Sequence, residues 1–98
     1  KVIGIASVLF SAFAYILFKL HEEAIASYDK SLEINPEPED DKIWINRGDA
    51  LGRLELFEEA ITSYDKALEI NPDNEGGWSL RGHVLAFLGR YEEGIASY

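Results

Sequence analysis

The sequence has no cysteine and no methionine, only three prolines, and no acidic side chain in its first twenty residues. Without cysteine a disulfide framework, a thiolate zinc site and a cysteine nucleophile are all excluded. A chain of 98 residues without an initiating methionine reads as a piece of a longer protein. Basic residues are scarce too: nine against eighteen acids, for a net charge of −9. All of the acids and seven of the bases lie beyond residue 20. A surface that acidic repels phosphate backbones, so nucleic acid is not an expected partner. Sparse motifs exclude more. His21-Glu22-Glu23 resembles the opening of a zinc-protease helix, but Ile25 stands where the second histidine would be. His83 has no neighbouring histidine or cysteine to share a metal. Glu37-Pro38-Glu39-Asp40-Asp41 lacks the glycine and alternate spacing of a calcium loop. There is no glycine-rich phosphate loop and no serine in a nucleophile elbow. Neither catalysis nor a cofactor or metal is expected.

What is present is repetition. Glu22-Glu23-Ala24-Ile25-Ala26-Ser27-Tyr28-Asp29-Lys30-Ser31-Leu32-Glu33-Ile34-Asn35-Pro36 returns almost unchanged as Glu58 to Pro72, and begins again at Glu92-Glu93-Gly94-Ile95-Ala96-Ser97-Tyr98. Tyr28 and Tyr64 are 36 residues apart, Tyr64 and Tyr98 34. The two extra residues fall in the Pro36–Asp40 linker, where an insertion costs least. Between the copies, Trp44-Ile45-Asn46-Arg47-Gly48 recurs as Trp78-Ser79-Leu80-Arg81-Gly82.

Each period holds two helices. Ala60, Ile61, Tyr64, Ala67 and Leu68 form one stripe at a 3.6-residue period, with Glu58, Glu59, Asp65, Lys66 and Glu69 on the other side. Acids in the first turn suit the helix dipole, and Asn71-Pro72 ends the helix. Trp44, Gly48 and Leu51 share a face of the preceding helix, as do Trp78, Gly82 and Leu85. Ala12, Gly48 and Gly82 match in the first helices, and Ala24, Ala60 and Gly94 in the second, so paired helices approach closely. Stability then comes from stacking neighbours.

Trp44, Gly48, Leu51, Phe57, Ala60, Tyr64, Ala67 and Pro72, repeated by Trp78, Gly82, Leu85, Tyr91, Gly94 and Tyr98, resemble the tetratricopeptide repeat signature. Arg47 and Arg81 depart from it where the family often carries leucine, Gly94 replaces alanine, and His21 replaces an aromatic. The resemblance implies an all-α right-handed superhelix of stacked helical hairpins: a diverged repeat over 5–40, a full one over 41–74 and a truncated one over 75–98. It also implies a non-catalytic interaction module that holds a peptide or helix of a protein partner on its concave face. The family's groove positions fall on Ala6, Leu9, Phe13, Ile16 and Leu17, then Lys42, Ile45, Asp49, Gly52 and Arg53, then Gly76, Ser79, His83, Ala86 and Phe87. Of five residues with which some members clamp the carboxylate of chaperone tails, only Asn46 is matched; Leu9, Phe13, Gly76 and Leu80 replace the others. An apolar ligand such as an amphipathic helix suits this face better.

The first twenty residues leave alternatives open. With Ala12 and Tyr15 in phase, a first repeat helix runs from about Ile5 to Phe18 and a turn separates it from Glu22. Yet Val2 to Phe18 is 17 residues without a charge, flanked by Lys1 and Lys19, which also fits a transmembrane segment. A signal-peptide remnant fits less well, since no Ala-x-Ala site follows. The repeat helix and a cytoplasmic location are the preferred expectation, with a membrane-anchored repeat protein or the docking segment of a larger enzyme as rivals. The short last helix is expected to fray beyond Arg90, and the fragment to self-associate through its open ends.

Overall fold

The computed structural model describes residues 2–89, with side chains from Gly4 onward. The third copy beyond Arg90, with Gly94, Tyr98 and the expected fraying, lies outside them. The described residues form four helices: α1 (Val2–Ile34), α2 (Lys42–Arg53), α3 (Phe57–Ile70) and α4 (Glu75–Phe87). They stack in chain order, α1 on α2, α2 on α3 and α3 on α4, with α4 also touching α2. This is a solenoid of the tetratricopeptide kind.

Local chemistry sets the boundaries. Asn74 caps α4, its Oδ1 accepting from the Gly77 amide at 2.9 Å, while its Nδ2 donates to Asp41 Oδ2 at 2.6 Å at the head of α2. One asparagine thus ties the starts of two successive repeats. Glu55 closes the α2–α3 turn with φ 63°, and Gly89 ends α4 with φ 76°. Glu58 and Glu59 sit in the first turn of α3. Asn71 ends that helix in an extended conformation, and its Oδ1 accepts from the Asp73 amide.

The core is the expected stripe. Ala60, Ile61, Tyr64, Ala67 and Leu68 are all buried, and Leu51, Val84 and Leu85 complete the cluster from α2 and α4. Close approach rests on Gly48: a Cβ there would lie 2.6 Å from Tyr64 Cε1. The two arginines that replace leucine acquire a role. Arg47 Nε donates to Asp29 Oδ1 at 2.7 Å and its Nη1 to the buried Ser63 hydroxyl at 2.6 Å; Arg81 Nε donates to Asp65 Oδ1 at 2.7 Å. Each ties a repeat's first helix to the second helix of the repeat before. The aspartates are half exposed, so each pair contributes only ~0.2–1 kcal/mol. Their value is in fixing the stacking register.

The first repeat departs from the expected hairpin. No turn separates Phe18 from Glu22; α1 is one helix of 33 residues. Lys19 aligns with Glu55 and Gly89, which reverse the chain in the later repeats, but here the helix runs on through Lys19-Leu20-His21. From His21 onward α1 shows a half-buried face through Ile25, Tyr28 and Leu32. From Gly4 to Leu20 every residue is exposed. At ~1.5 Å per residue α1 is about 50 Å long, which accounts for the longest dimension of 53 Å.

Candidate functional site

The helices α2 and α4, with α3 between them, build a cleft of about 140 Å³. Asp49, Gly52 and Arg53 come from α2, Leu80, His83, Val84 and Phe87 from α4, and Phe57 and Tyr64 from α3. These residues meet because α2 and α4 repeat the same face 34 positions apart, so Asp49 and His83, and Arg53 and Phe87, hold equivalent places in their helices. The Phe57 and Phe87 rings stack with centroids 5.6 Å apart and planes at 17°. Phe87 is nonetheless 78% exposed. At the rim, Arg53 Nε donates to Asp49 Oδ2 at 3.2 Å, an exposed pair within one helix. His83 Nδ1 and the Ser79 carbonyl are 2.8 Å apart, so an Nδ1–H donates to that oxygen.

Of the residues assigned to the groove from the sequence, Asp49, Gly52, Arg53, His83 and Phe87 line this cleft. Ile45 packs partly into the core, where its Cδ1 comes within 3.1 Å of a Cβ built on Gly77. Lys42 is exposed, its amide donating to Asp40 Oδ1 at 2.9 Å. Leu9, Phe13, Ile16 and Leu17 stand exposed on α1, which touches α2 alone among the described helices, and none of them lines the cleft. Leu80, at one of the clamp positions, lines it too, and so do Phe57, Tyr64 and Val84, which the groove assignment does not include. Phe57 carried a signal, as an aromatic that recurs at Tyr91 just before each Glu-Glu pair. It lies on a second helix, outside the first-helix positions that the resemblance implies for the groove.

Tyr64 forms the floor of the cleft. Burial pushes its phenol up to about 12, and the nearby Asp49 carboxylate raises it further than Arg53 lowers it. In the unfolded chain the phenol ionises near its ordinary value of about 10. Above pH 10 the unfolded chain has therefore lost a proton that the folded chain keeps, and stability falls as pH rises from 10 to 12; below 10 this group contributes no slope. At pH 11 the loss is about 1 kcal/mol. Urea unfolding at pH 8 and pH 11 reads it, and Tyr64→Phe is expected to remove that part of the difference.

A larger hollow of about 440 Å³ lies where the longer linker passes the end of α3, between Pro36, Glu37, Pro38, Trp44, Lys66, Glu69 and Ile70. At the next repeat the Trp78 indole donates to the Pro72 carbonyl at 2.8 Å. Among the described residues no three histidine, aspartate or glutamate side chains are grouped to hold a metal ion.

Tetratricopeptide repeat models match residues 7–38, 41–74 and 63–96, and so span nearly the whole chain. The chain belongs to the tetratricopeptide repeat family. Its repeat at 41–74 coincides with the α2–α3 hairpin, while the match at 7–38 falls on α1, where the repeat persists in sequence but not as a hairpin. No curated protein matches the sequence. Among solved structures, the tetratricopeptide domain of Arabidopsis OM64 is 26% identical with a TM-score of 0.74, over 81% of this chain and 64% of that one. The first such domain of Spaghetti (RPAP3), bound to an HSP90 peptide, is 26% identical with a TM-score of 0.76, over 90% and 68%. MamA is 26% identical with a TM-score of 0.74, over 85% and 48%. The chain thus spans about two thirds or less of the first and last of these structures.

Proposed function

We propose that this chain is a non-catalytic protein-interaction module that receives a partner's peptide or helix across the cleft between α2 and α4. The carrying observation is the Phe57–Phe87 stack, an aromatic surface left exposed beside a cleft with an ion pair on its rim. At about 140 Å³ the cleft falls well below the ~300–1,000 Å³ of small-molecule sites, and suits one anchoring side chain of a longer ligand. Aromatic anchors flanked by polar groups dominate such contacts. The helices are fixed by stacking, so the face is ordered before the partner arrives and less entropy is lost on binding.

Structural likeness to a domain bound to an HSP90 peptide supports peptide binding in general. The chaperone-tail clamp is not part of the proposal, because Gly76 and Leu80 stand where two of its polar residues would be. An apolar anchor with a charged neighbour fits Phe57, Phe87, Arg53 and Asp49 better.

Selection from a random-peptide phage library on the full chain tests the reading. Phe87→Ala is expected to weaken the selected peptides at least ~10-fold, equivalent to about 1.4 kcal/mol, with the helical circular dichroism unchanged. Arg53→Glu is expected to change which peptides are selected. Peptides that bind wild type and Phe87→Ala equally would contradict the placement of the site.

A further inference from the structure

We propose that the N-terminal half of α1 inserts into a lipid bilayer, and that it does so as one unbroken rod with the helix on which the repeat array is stacked. This goes beyond the cleft and does not depend on it. The helix is long and apolar enough to cross a membrane, and none of that stretch is buried against the rest of the chain. Length alone would also fit a helix waiting for a protein partner. The distribution of side chains decides against one. At roughly 100° per residue, Val8, Phe10, Phe13, Ile16 and Phe18 point to every side of the axis, with no gap wider than about 80°. All five are 47–73% exposed. A protein groove or a second copy covers one face and leaves a polar stripe on the other. Here no side carries a charge; the hydroxyls of Ser7, Ser11 and Tyr15 share one narrow side with Phe18 among them, and lipid is the occupant that covers the whole circumference.

The boundary is marked. Val2 to Phe18 spans about 26 Å at ~1.5 Å per residue, close to the ~30 Å hydrocarbon core. Tyr15 and Lys19 then stand together, with the ammonium 5.7 Å from the ring centroid, an aromatic and a cation of the kind that settle at the headgroup level. Lys19 Nζ is 3.6 Å from Glu22 Oε1, the first of the acids, all of which follow. Beyond that point α1 packs on α2 and Asp29 takes the Arg47 guanidinium. No glycine or proline interrupts the helix between Lys19 and Ile34, so the array has no flexible linker to the bilayer. Asp29, ten residues past Lys19, is held about 15 Å above it.

The absence of native cysteine allows a direct test. Single-cysteine variants Leu9→Cys, Phe10→Cys, Phe13→Cys, Lys19→Cys and Glu33→Cys of the full chain carry a nitroxide label, in vesicles of phosphatidylcholine with about a quarter phosphatidylglycerol. Spin-relaxation by oxygen and by a water-soluble nickel chelate then reports depth. The expected result is co-flotation with the vesicles at 1 M salt. Labels at 9, 10 and 13 are all shielded from nickel and open to oxygen, the label at 19 lies at the headgroups, and that at 33 is fully aqueous. Loss of flotation in Phe10→Lys/Phe13→Lys, with the helical signal of the repeats retained, would agree. The proposal is overturned if the wild-type chain stays unfloated. It is equally overturned if one side of the helix is shielded from both agents without lipid, which would assign the stretch to a second copy. A label at 33 as shielded as that at 13 would overturn the unbroken-rod part.

Discussion

Tyr64→Ala is expected to lower the stability of the chain by about 3–5 kcal/mol, the usual cost of deleting a fully buried aromatic ring. The ring is 1% exposed and lies where α2, α3 and α4 meet, with Leu51, Val84 and Leu85 in the same cluster. Gly48 approaches it closely enough that its missing Cβ is the space the ring fills. Alanine at 64 removes the ring without allowing α2 to collapse into its place, because Ala60 and Ala67 already bring the helices to short range. A domain of this size has roughly 5–15 kcal/mol in hand, so the substitution consumes a large share of it. The midpoint of urea unfolding measures the loss. A change under about 1 kcal/mol would mean that the ring is not the centre of the core.

The second large effect distinguishes two glycines one turn apart on α2. Gly48→Ala places a methyl 2.6 Å from Tyr64 Cε1 and 2.8 Å from Cδ1. The ring is enclosed and cannot swing away, so the helices must part, at a cost of about 1–3 kcal/mol, and Gly48→Val is expected to cost more. Gly52→Ala meets only ordinary contacts, the Tyr64 hydroxyl and Val84 Cγ2 both at 3.9 Å. There the gain in helix propensity, about 0.5–1 kcal/mol, is expected to raise stability. Parallel urea titrations of the two variants should therefore move in opposite directions. Equal destabilisation would show that the spacing of α2 and α3 is not set at Gly48.

Much of this was legible because the repeat writes the same physics more than once. The Ala60, Ile61, Tyr64, Ala67, Leu68 stripe is a helix period whichever copy is read, and small residues at matched places predict close approach. Three charged or polar positions that the family resemblance implies for the groove, Asp49, Arg53 and His83, line the cleft, and Ser79 does not. What failed was the first hairpin. Ala12 and Tyr15 keep the phase of the repeat, but Leu54-Glu55-Leu56 reverses the chain without glycine, proline or asparagine while the aligned Phe18-Lys19-Leu20 stays helical, so residue type at that place does not tell the two apart. Periodicity reports which face is apolar and is silent on where a helix stops. Asp65 falls on the side away from the apolar stripe, and its hydrogen bond from Arg81 joins residues 16 apart, a pairing that no helical period displays. Phe57 reached the cleft from a second helix for a related reason: the tight turn at Glu55 carries the start of α3 to the edge of the face formed by α2 and α4.

Binding on the face between α2 and α4 is read out by amide chemical-shift mapping of the full chain with its tightest library peptide. The largest shifts are expected at Asp49, Gly52, Arg53, His83 and Phe87, with the Phe57 and Phe87 ring protons moving together. Binding on that face is contradicted if those amides stay fixed while the peptide shifts residues on the outer side of α3, such as Thr62, Lys66 and Glu69.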